Sequence, residues 1–305
     1  MTLECSVAII RDSDKLLYSL RTKHPYQNYY EFPGGKVENN ETPEDALYRE
    51  CFEELGIKIT KFNSIGSVIH YYDHLQVKLH IFEILAYREN IYAKENQGLL
   101  YLNAFESNEK FIDSTFRVLN YLSLPRYCSI KSIDADNYTN EDVSKLYSNN
   151  ILRYRSNKIN PKDYYIQAEK YSKICSDNNI DLILDVTYYE LFKNLEFKGI
   201  HYKSDQLKDL ENTKFIKLNN KLTYSASCHN ISDIRIANKY NFDFIFLSPV
   251  LISKLYTKQT LGWDSFGNLA LEANMPVFAL GGIRKSDLDK CLSHNGYGVS
   301  GITNF

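Results

Sequence analysis

The stretch Gly35-Lys-Val-Glu-Asn-Asn-Glu41-Thr-Pro-Glu-Asp-Ala-Leu-Tyr-Arg49-Glu50-Cys-Phe-Glu53-Glu54-Leu-Gly56-Ile57 carries its own start, stop and two faces. Thr42 suits an N-cap, Pro43 the first helical position, and Glu44 and Asp45 the positive end of a helix. Gly56 suits the stop. Between them Glu50, Glu53 and Glu54 stand at i, i+3 and i+4, so one helical stripe carries three carboxylates. Leu47, Cys51 and Leu55 lie on another stripe and can anchor the helix on a sheet. Like charges on one stripe repel, and a helix selected for stability alone would avoid them. A hard divalent cation relieves the repulsion, and Mg²⁺ suits a few carboxylates combined with substrate phosphates. Arg49 can pair with Glu53 one turn on, or with Glu41 across the loop. Gly34-Gly35 lets backbone approach closely and can offer a carbonyl to the ion.

The rest of the chain narrows the class. Its 305 residues fit two domains. With 36 Lys+Arg against 38 Asp+Glu the formal net charge is -2, so no broad cationic field points to a nucleic-acid backbone. No run approaches the ~18 apolar residues of a membrane span, and the N-terminus shows no signal-peptide pattern. Six scattered cysteines without a C-x-x-C pair argue against a zinc site or a stapled fold. They read as reduced thiols of a cytoplasmic protein.

Up to residue 124 the pattern is α+β. Residues 3–11 and 15–21 read as a hairpin around Asp12-Ser13-Asp14. The Gly-Gly loop and the acidic helix follow, then strands in 64–72 and 76–87, then a helix over 108–122. Ser123-Leu-Pro-Arg126 is the expected boundary. Beyond it strands alternate with helices. Strands are expected at 127–133, 151–155, 181–186, 199–202, 222–226, 242–247, 276–280 and 298–302, with helical patterns such as 161–178, 231–239 and 285–292 between them. Eight such strands predict a small parallel barrel. The chain stops at Phe305, after the eighth strand, so the usual eighth helix is expected to be absent or replaced by domain contacts.

The first motif follows G-x5-E-x7-R-E-U-x-E-E-x-G-U, where U is a bulky aliphatic residue. It resembles the Nudix box, with Cys51 as the one soft mismatch. With Glu31-Phe-Pro-Gly-Gly-Lys36 before it, the segment 1–124 looks like the MutT branch of the Nudix hydrolases. The resemblance implies a mixed sheet between helices and a Mg²⁺- or Mn²⁺-dependent nucleoside triphosphate pyrophosphohydrolase, of which the 8-oxo-dGTP diphosphatases are the best known. Carried over by position, the Gly34 carbonyl, Glu50, Glu53 and Glu54 would hold metal. Glu53 or Glu50 would orient the attacking water, with Arg49 holding the acids. Lys36, Arg21, Phe32 and Thr115 are the substrate-binding candidates. Two features depart from MutT. A downstream carboxylate is replaced by Leu100, with Glu95 the nearest substitute. The base-reading Asn is absent from Phe111-Ile-Asp-Ser-Thr-Phe116, which leaves Asp113, Ser114 or Thr115.

Fragments in 127–305 resemble thiamine phosphate synthase and its TenI relatives. They are Gly199-Ile-His201, Ser227-Cys-His229, Phe246-Leu-Ser-Pro-Val250, Ala279-Leu-Gly-Gly-Ile283 and Gly298-Val-Ser-Gly-Ile-Thr303. Leu261-Gly-Trp-Asp-Ser-Phe266 resembles the version fused behind MutT domains. The resemblance implies a TIM-type α/β barrel whose phosphate site uses Gly281, Gly282 and Thr303. Arg155, Asp185, His201, Ser227, His229 and Ser253 are the other ligand candidates. The family's Gln-x-Arg-x-Lys is reduced here to Arg153-Tyr-Arg155-Ser-Asn157. Its second metal-binding carboxylate falls on Gln206. These losses favour a barrel that binds a thiamine-type phosphate, or plays a structural role, over an intact synthase. A bifunctional enzyme is the alternative. Neither half suggests direct nucleic-acid or membrane contact.

Overall fold

The computed structural model describes residues 2–72, 75–103, 109–132, 150–155, 160–212, 222–252, 259–302 and 305. The chain divides into two compact units, Met1–Leu124 and Pro125–Phe305.

Among the described residues, the first unit holds two sheets and two helices. Strand β1 (Thr2–Ile9) is followed by β2 (Arg11–Asp12), β3 (Lys15–Leu20), β4 (Tyr30–Glu31) and β5 (Gly34–Lys36). Helix α1 (Pro43–Leu55) precedes β6 (Lys58–Tyr72), β7 (Leu75–Arg88), β8 (Leu99–Leu102) and α2 (Asp113–Ser123). One sheet runs β5-β1-β7-β6, with β1 parallel to β7 and antiparallel to β5. In the other, β3 pairs antiparallel with β2, β4 and β8.

The expected first hairpin is corrected in one respect. The turn exists: Ser13 has φ 56°, and Arg11 and Asp12 face Leu16 and Lys15. Along residues 2–12 the pairing with β3 is confined to the two-residue β2 and the Ile10 carbonyl, which accepts from the Leu17 N–H at 3.0 Å. β1 itself, ending at Ile9, pairs instead with Gly34–Lys36 on one side and with β7 along its whole length on the other, which keeps β3 from its edges. Ile10, 2% exposed, marks the break between the two sheets. The helix expected from residue 108 starts at Asp113, and β6 begins at Lys58.

Helix α1 keeps the start and stop its sequence encodes. The Thr42 side chain accepts from the Asp45 N–H, and Asp45 reciprocates, forming a capping box. Gly56 closes the helix in the left-handed region at φ 70°. Leu47, Cys51 and Leu55 are fully buried against Ala8, Leu17, Ile57 and Phe82. This apolar stripe fixes the rotation of the helix and turns the acidic stripe away from the core. At the register shift in β6–β7 pairing between Ser64 and Gly66, Gly66 makes room for Tyr121 of α2, whose hydroxyl donates to the Ile65 carbonyl at 3.0 Å.

The second unit is a closed eight-stranded parallel barrel. Its strands are β9 (Tyr127–Ser132), β10 (Ile151–Arg155), β11 (Asp181–Asp185), β12 (Gly199–Tyr202), β13 (Thr223–Cys228), β14 (Phe244–Leu247), β15 (Val277–Leu280) and β16 (Gly298–Gly301). β16 pairs with β9 and closes the ring. The helices described around it are α3 (Pro161–Asp177), α4 (Tyr189–Phe192), α5 (Ser204–Asp209), α6 (Ile231–Lys239), α7 (Gly262–Leu271) and α8 (Leu288–Ser293). Alternation along each strand sorts the side chains. Leu152, Tyr154, Leu182, Leu184, Ile200, Tyr224, Ala226 and Ile245 join the helices' Tyr164, Ala168, Phe192, Leu207, Ile234 and Phe266 in one core. The opposite parity sends Arg153, Asp185, His201, Ser225, Ser227, Phe246 and Phe278 to the barrel interior. Phe244, Phe246 and Phe278 pack with ring centroids 5.2–5.7 Å apart.

Gly34, at φ 135°, has no room for a side chain: a Cβ would lie 2.1 Å from the Ser6 carbonyl oxygen. Gly34→Ala is expected to destabilise the first unit by about 2–4 kcal/mol through backbone strain and overpacking. A lowered urea midpoint for that unit is the readout, and an unchanged midpoint would refute the assigned strain.

Candidate functional site

The acidic stripe of α1 is organised by Arg49. Its Nε and Nη2 donate to the two Glu41 carboxylate oxygens, each at 2.9 Å. Nη1 donates to Glu50 at 2.7 Å and to Glu53 at 3.3 Å. Nη2 also reaches the Lys36 carbonyl at 2.9 Å. One guanidinium thus ties the loop after β5 to two of the three helical acids. The paired geometry holds the Glu41 carboxyl well down, at about 2, chiefly through its hydrogen bonds from Arg49.

Glu54 faces the other way, accepting from the Gly34 N–H at 3.1 Å. Burial pushes its carboxyl up to about 8; the Gly34 N–H opposes the rise, and the negative charges of Glu50, Glu31 and Glu95 add to it. Glu50 is also raised, first by burial, against the pull of Arg49. A Cβ on Gly35 would stand 2.2 Å from Glu50 Oε1, so the second glycine makes space for that carboxylate. Glu53 is the most open of the three, its side chain 50% exposed against 16% for Glu50.

A loop closes over the end of α1. Tyr92 N–H donates to the Leu55 carbonyl at 3.2 Å, and Lys94 N–H to that of Glu54 at 3.0 Å. The Gln97 side chain donates to the Glu54 carbonyl as well, at 3.0 Å, while its own carbonyl accepts from the Glu95 N–H. This loop brings Glu95 close enough to raise both Glu50 and Glu54.

Among the described residues, no three His, Cys, Asp or Glu side chains converge at metal-ligand spacing. Glu50 and Glu53 are turned onto Arg49, and Glu54 onto Gly34. The donor set itself fits a hard cation: only oxygen ligands, several negative charges, and a half-buried carboxyl that resists ionising alone.

The four substrate-binding candidates fall into different settings. Lys36 is exposed beside the Arg49 cluster. Arg21 is committed to Glu31 through two contacts at 2.9 and 3.0 Å, and to the Pro25 carbonyl at 2.8 Å. Phe32 is 6% exposed and packs on Tyr18, and Thr115 is 2% exposed, so both belong to the core. Glu31 was missed by the sequence reading as an acid of this cluster. Burial raises its carboxyl while Arg21 draws it down.

The barrel's polar residues collect near the C-terminal ends of its strands. Asp185, fully buried at the end of β11, accepts from Arg153 Nη2 at 3.3 Å and lies 3.6 Å from Lys203 Nζ. Its N–H donates to the Tyr164 hydroxyl at 2.9 Å. His201 sits between Ser225 and Ser227, with Nδ1 at 3.0 Å and Nε2 at 2.9 Å from their hydroxyls. Ser225 also donates to the Ile200 carbonyl, so its oxygen receives the Nδ1 proton and Ser227 donates to Nε2. Burial first, then Arg153 and Lys203, push this imidazole well below its usual pKa, in keeping with that neutral form. His229 is exposed; its Nδ1 donates to the Ser248 carbonyl at 2.7 Å. Arg155 ends β10, partly buried, and Gly281 and Gly282 follow β15 with φ 95° and 69°. Ser253 and Thr303 lie outside the described residues. Arg153 and Lys203 were missed as site residues. The signal for Arg153 was a charge at an inward-facing strand position.

Glu54 gives a pH signature. A carboxyl whose folded pKa exceeds the unfolded value near 4.5 stabilises the fold only while protonated there. In EDTA, thermal stability should therefore fall as pH rises from about 4.5 through 8. Glu54→Gln keeps the acceptor for Gly34 and should flatten that fall. Identical pH profiles for variant and parent would disprove the assigned burial.

Comparison with known proteins follows this division of the chain. The NUDIX domain family model matches residues 3–110, and the thiamine monophosphate synthase (TMP-TENI) model matches residues 134–305. An 8-oxo-dGTP diphosphatase of Proteus vulgaris is 39% identical over 67 residues, covering 22% of this chain and 60% of that protein, less than two thirds of its length. Another, from Buchnera aphidicola subsp. Schizaphis graminum, is 34% identical over 108 residues, covering 35% of this chain and 80% of that protein. A putative thiamine-phosphate synthase 2 of Aquifex aeolicus is 22% identical over 156 residues, covering 51% of this chain and 82% of that protein. The acid-bearing helix and the closed barrel thus each have a family of their own, and the chain belongs to both, carrying a Nudix hydrolase domain followed by a thiamine monophosphate synthase-type barrel.

Proposed function

We propose that the first domain, residues 1–124, is a Mg²⁺-dependent nucleoside triphosphate pyrophosphohydrolase acting on oxidised nucleotides such as 8-oxo-dGTP. Mn²⁺ would serve as a substitute ion. The observation that carries the reading is the Arg49 hub, which gathers Glu41, Glu50, Glu53 and the Lys36 carbonyl beside a half-buried Glu54. Two relatives are 8-oxo-dGTP diphosphatases, which supports the substrate.

In this reading Glu50, Glu53, Glu54 and the Gly34 carbonyl hold the ion. When bound, it offsets polyphosphate charge and polarises the reacting phosphoryl group. Glu53, the most open acid, holds the attacking water and takes its proton. The water oxygen bonds to phosphorus, the bridging P–O bond breaks, and the products are a nucleoside monophosphate and pyrophosphate. Arg49 keeps the acids aimed and does not meet substrate. Exposed Lys36 pairs with a phosphate oxygen. Glu95 supplies the additional negative charge that Leu100 does not.

The second domain, residues 127–305, acts in this reading as a binding module for a thiamine-type phosphate in a cytoplasmic protein. The observation favouring it over a working synthase is Gln206. Its side-chain carbonyl accepts from the Lys203 N–H at 2.9 Å and its amide donates to Thr187 at 2.7 Å, so it is spent on structure.

Pyrophosphate release from 8-oxo-dGTP and the four ordinary dNTPs tests the hydrolase reading. Full-length protein should act with Mg²⁺ and stop in EDTA. Glu53→Gln should lower kcat by at least about 10²-fold through loss of charge and base. Parental activity in that variant would reject the site.

A further inference from the structure

A further carboxylate stands beside the acids of α1. Glu31 closes β4, and only Phe32 and Pro33, both buried, separate it from Gly34. The Pro33 carbonyl accepts from the Ala8 N–H at 2.8 Å, so this short connection is pinned to the core. Gly34 donates its N–H to Glu54 at 3.1 Å, and its carbonyl is the one assigned to the ion. Three residues span at most about 11 Å even when fully extended, so the backbone keeps Glu31 beside the acidic centre. Arg21 Nη1 donates to both Glu31 oxygens, at 2.9 and 3.0 Å, and Arg21 Nε is fixed on the Pro25 carbonyl at 2.8 Å. An ionised carboxylate offers about four lone-pair positions, and Arg21 uses two of them. Among the described residues the Glu31 side chain makes no other hydrogen bond, although it is only 25% exposed. The Cys5 thiol marks the same place from β1: it pairs across from Lys36, and the charges of Lys36, Glu31, Glu50 and Arg21 surround it.

We propose that Glu31 is a further carboxylate of the ion site, meeting the divalent cation or one of its waters with the oxygen positions that Arg21 leaves open. This rests on the reading of the first domain as a Mg²⁺-dependent hydrolase and deepens it. The charge arrangement supports it. Burial raises the Glu31 carboxyl, and Arg21 draws it back toward the ionised form that can face a cation. Burial is also what chiefly raises Glu54, and among the neighbouring charges that add to the rise Glu31 follows Glu50 and precedes Glu95. Carboxylates that oppose one another's charge in a poorly solvated place are relieved by one shared cation. An ion pair serving only to close β4 onto β3 would gain nothing from such repulsion. Mg²⁺ keeps several of its waters when bound, so a carboxylate set slightly apart from the helical acids still has a partner there. Glu31 adds to the charge that Glu95 supplies.

The test is Mn²⁺ binding to the full-length protein without nucleotide, followed by the paramagnetic resonance of the free ion. Glu53→Gln identifies the signal, since the site it weakens is the one to read. Glu31→Gln keeps an acceptor for Arg21 and removes one negative charge, so it should weaken that site by at least about fivefold. Glu31→Asp keeps the charge and should recover most of the loss. The Mg²⁺ concentration for half-maximal pyrophosphate release from 8-oxo-dGTP should rise in the same order. Glu31 is partly exposed and Gln matches its shape, so the variants should fold, and thermal melts in EDTA check that they do. Unchanged Mn²⁺ affinity in Glu31→Gln, with Glu53→Gln weakened, would overturn this inference and leave the hydrolase reading standing. A raised nucleotide KM at unchanged Mn²⁺ affinity would give Glu31 to the substrate and overturn it too. Equal losses in Glu31→Gln and Glu31→Asp would trace the effect to packing, against the proposal. A parent protein that binds no Mn²⁺ would overturn the ion site and both readings with it.

Discussion

A single guanidinium makes the acidic face of the first domain possible. Glu50, Glu53 and Glu54 would repel one another on a bare helix, and Glu41 would add to the excess. Arg49 answers five oxygens from three acids and one carbonyl, so the loop after β5 and the helix hold one fixed spacing. The glycines matter for the same reason. Gly34 lets a backbone N–H meet Glu54, and Gly35 leaves the volume that Glu50 occupies. The apolar stripe beneath holds the helix in rotation, so the electrostatics depend on Leu47, Cys51 and Leu55 as well as on the charges.

The barrel meets a related problem with the opposite balance. Asp185 is enclosed and answered by two cations, Arg153 and Lys203, with the Tyr164 hydroxyl fixing the backbone behind it. In the first domain, surplus negative charge is arranged around a place for a cation. In the second, a buried negative charge is held between two positive side chains.

Much of this was legible in the sequence because local rules and tertiary structure agree. Thr42, Pro43 and Gly56 delimit α1 as their propensities require, and the three-acid stripe follows from 3.6 residues per turn. All eight barrel strands lie close to where the alternation placed them. What was missed depends on contacts distant in sequence. Whether β1 pairs with β3 or with β7 is decided by edge competition some seventy residues away, and no short window contains it. The short β4, β5 and β8 lack any periodicity of their own. Arg21 reads as a phosphate ligand until Glu31, ten residues on, is seen beside it. Arg153 and Lys203 become a pair only once neighbouring strand ends bring them to Asp185. Of the barrel candidates, Ser253 and Thr303 lie outside the described residues.

The loop over the end of α1 has a consequence of its own. Tyr92, Lys94 and Gln97 bind the carbonyls of Leu55 and Glu54 while Glu95 leans its charge toward the acids. None of the first three performs chemistry, yet together they set how firmly the helix terminus is seated and how strong the local field is. Evolution, or an engineer, could thus retune the acidity of this centre by editing a surface bend and leave the signature motif untouched.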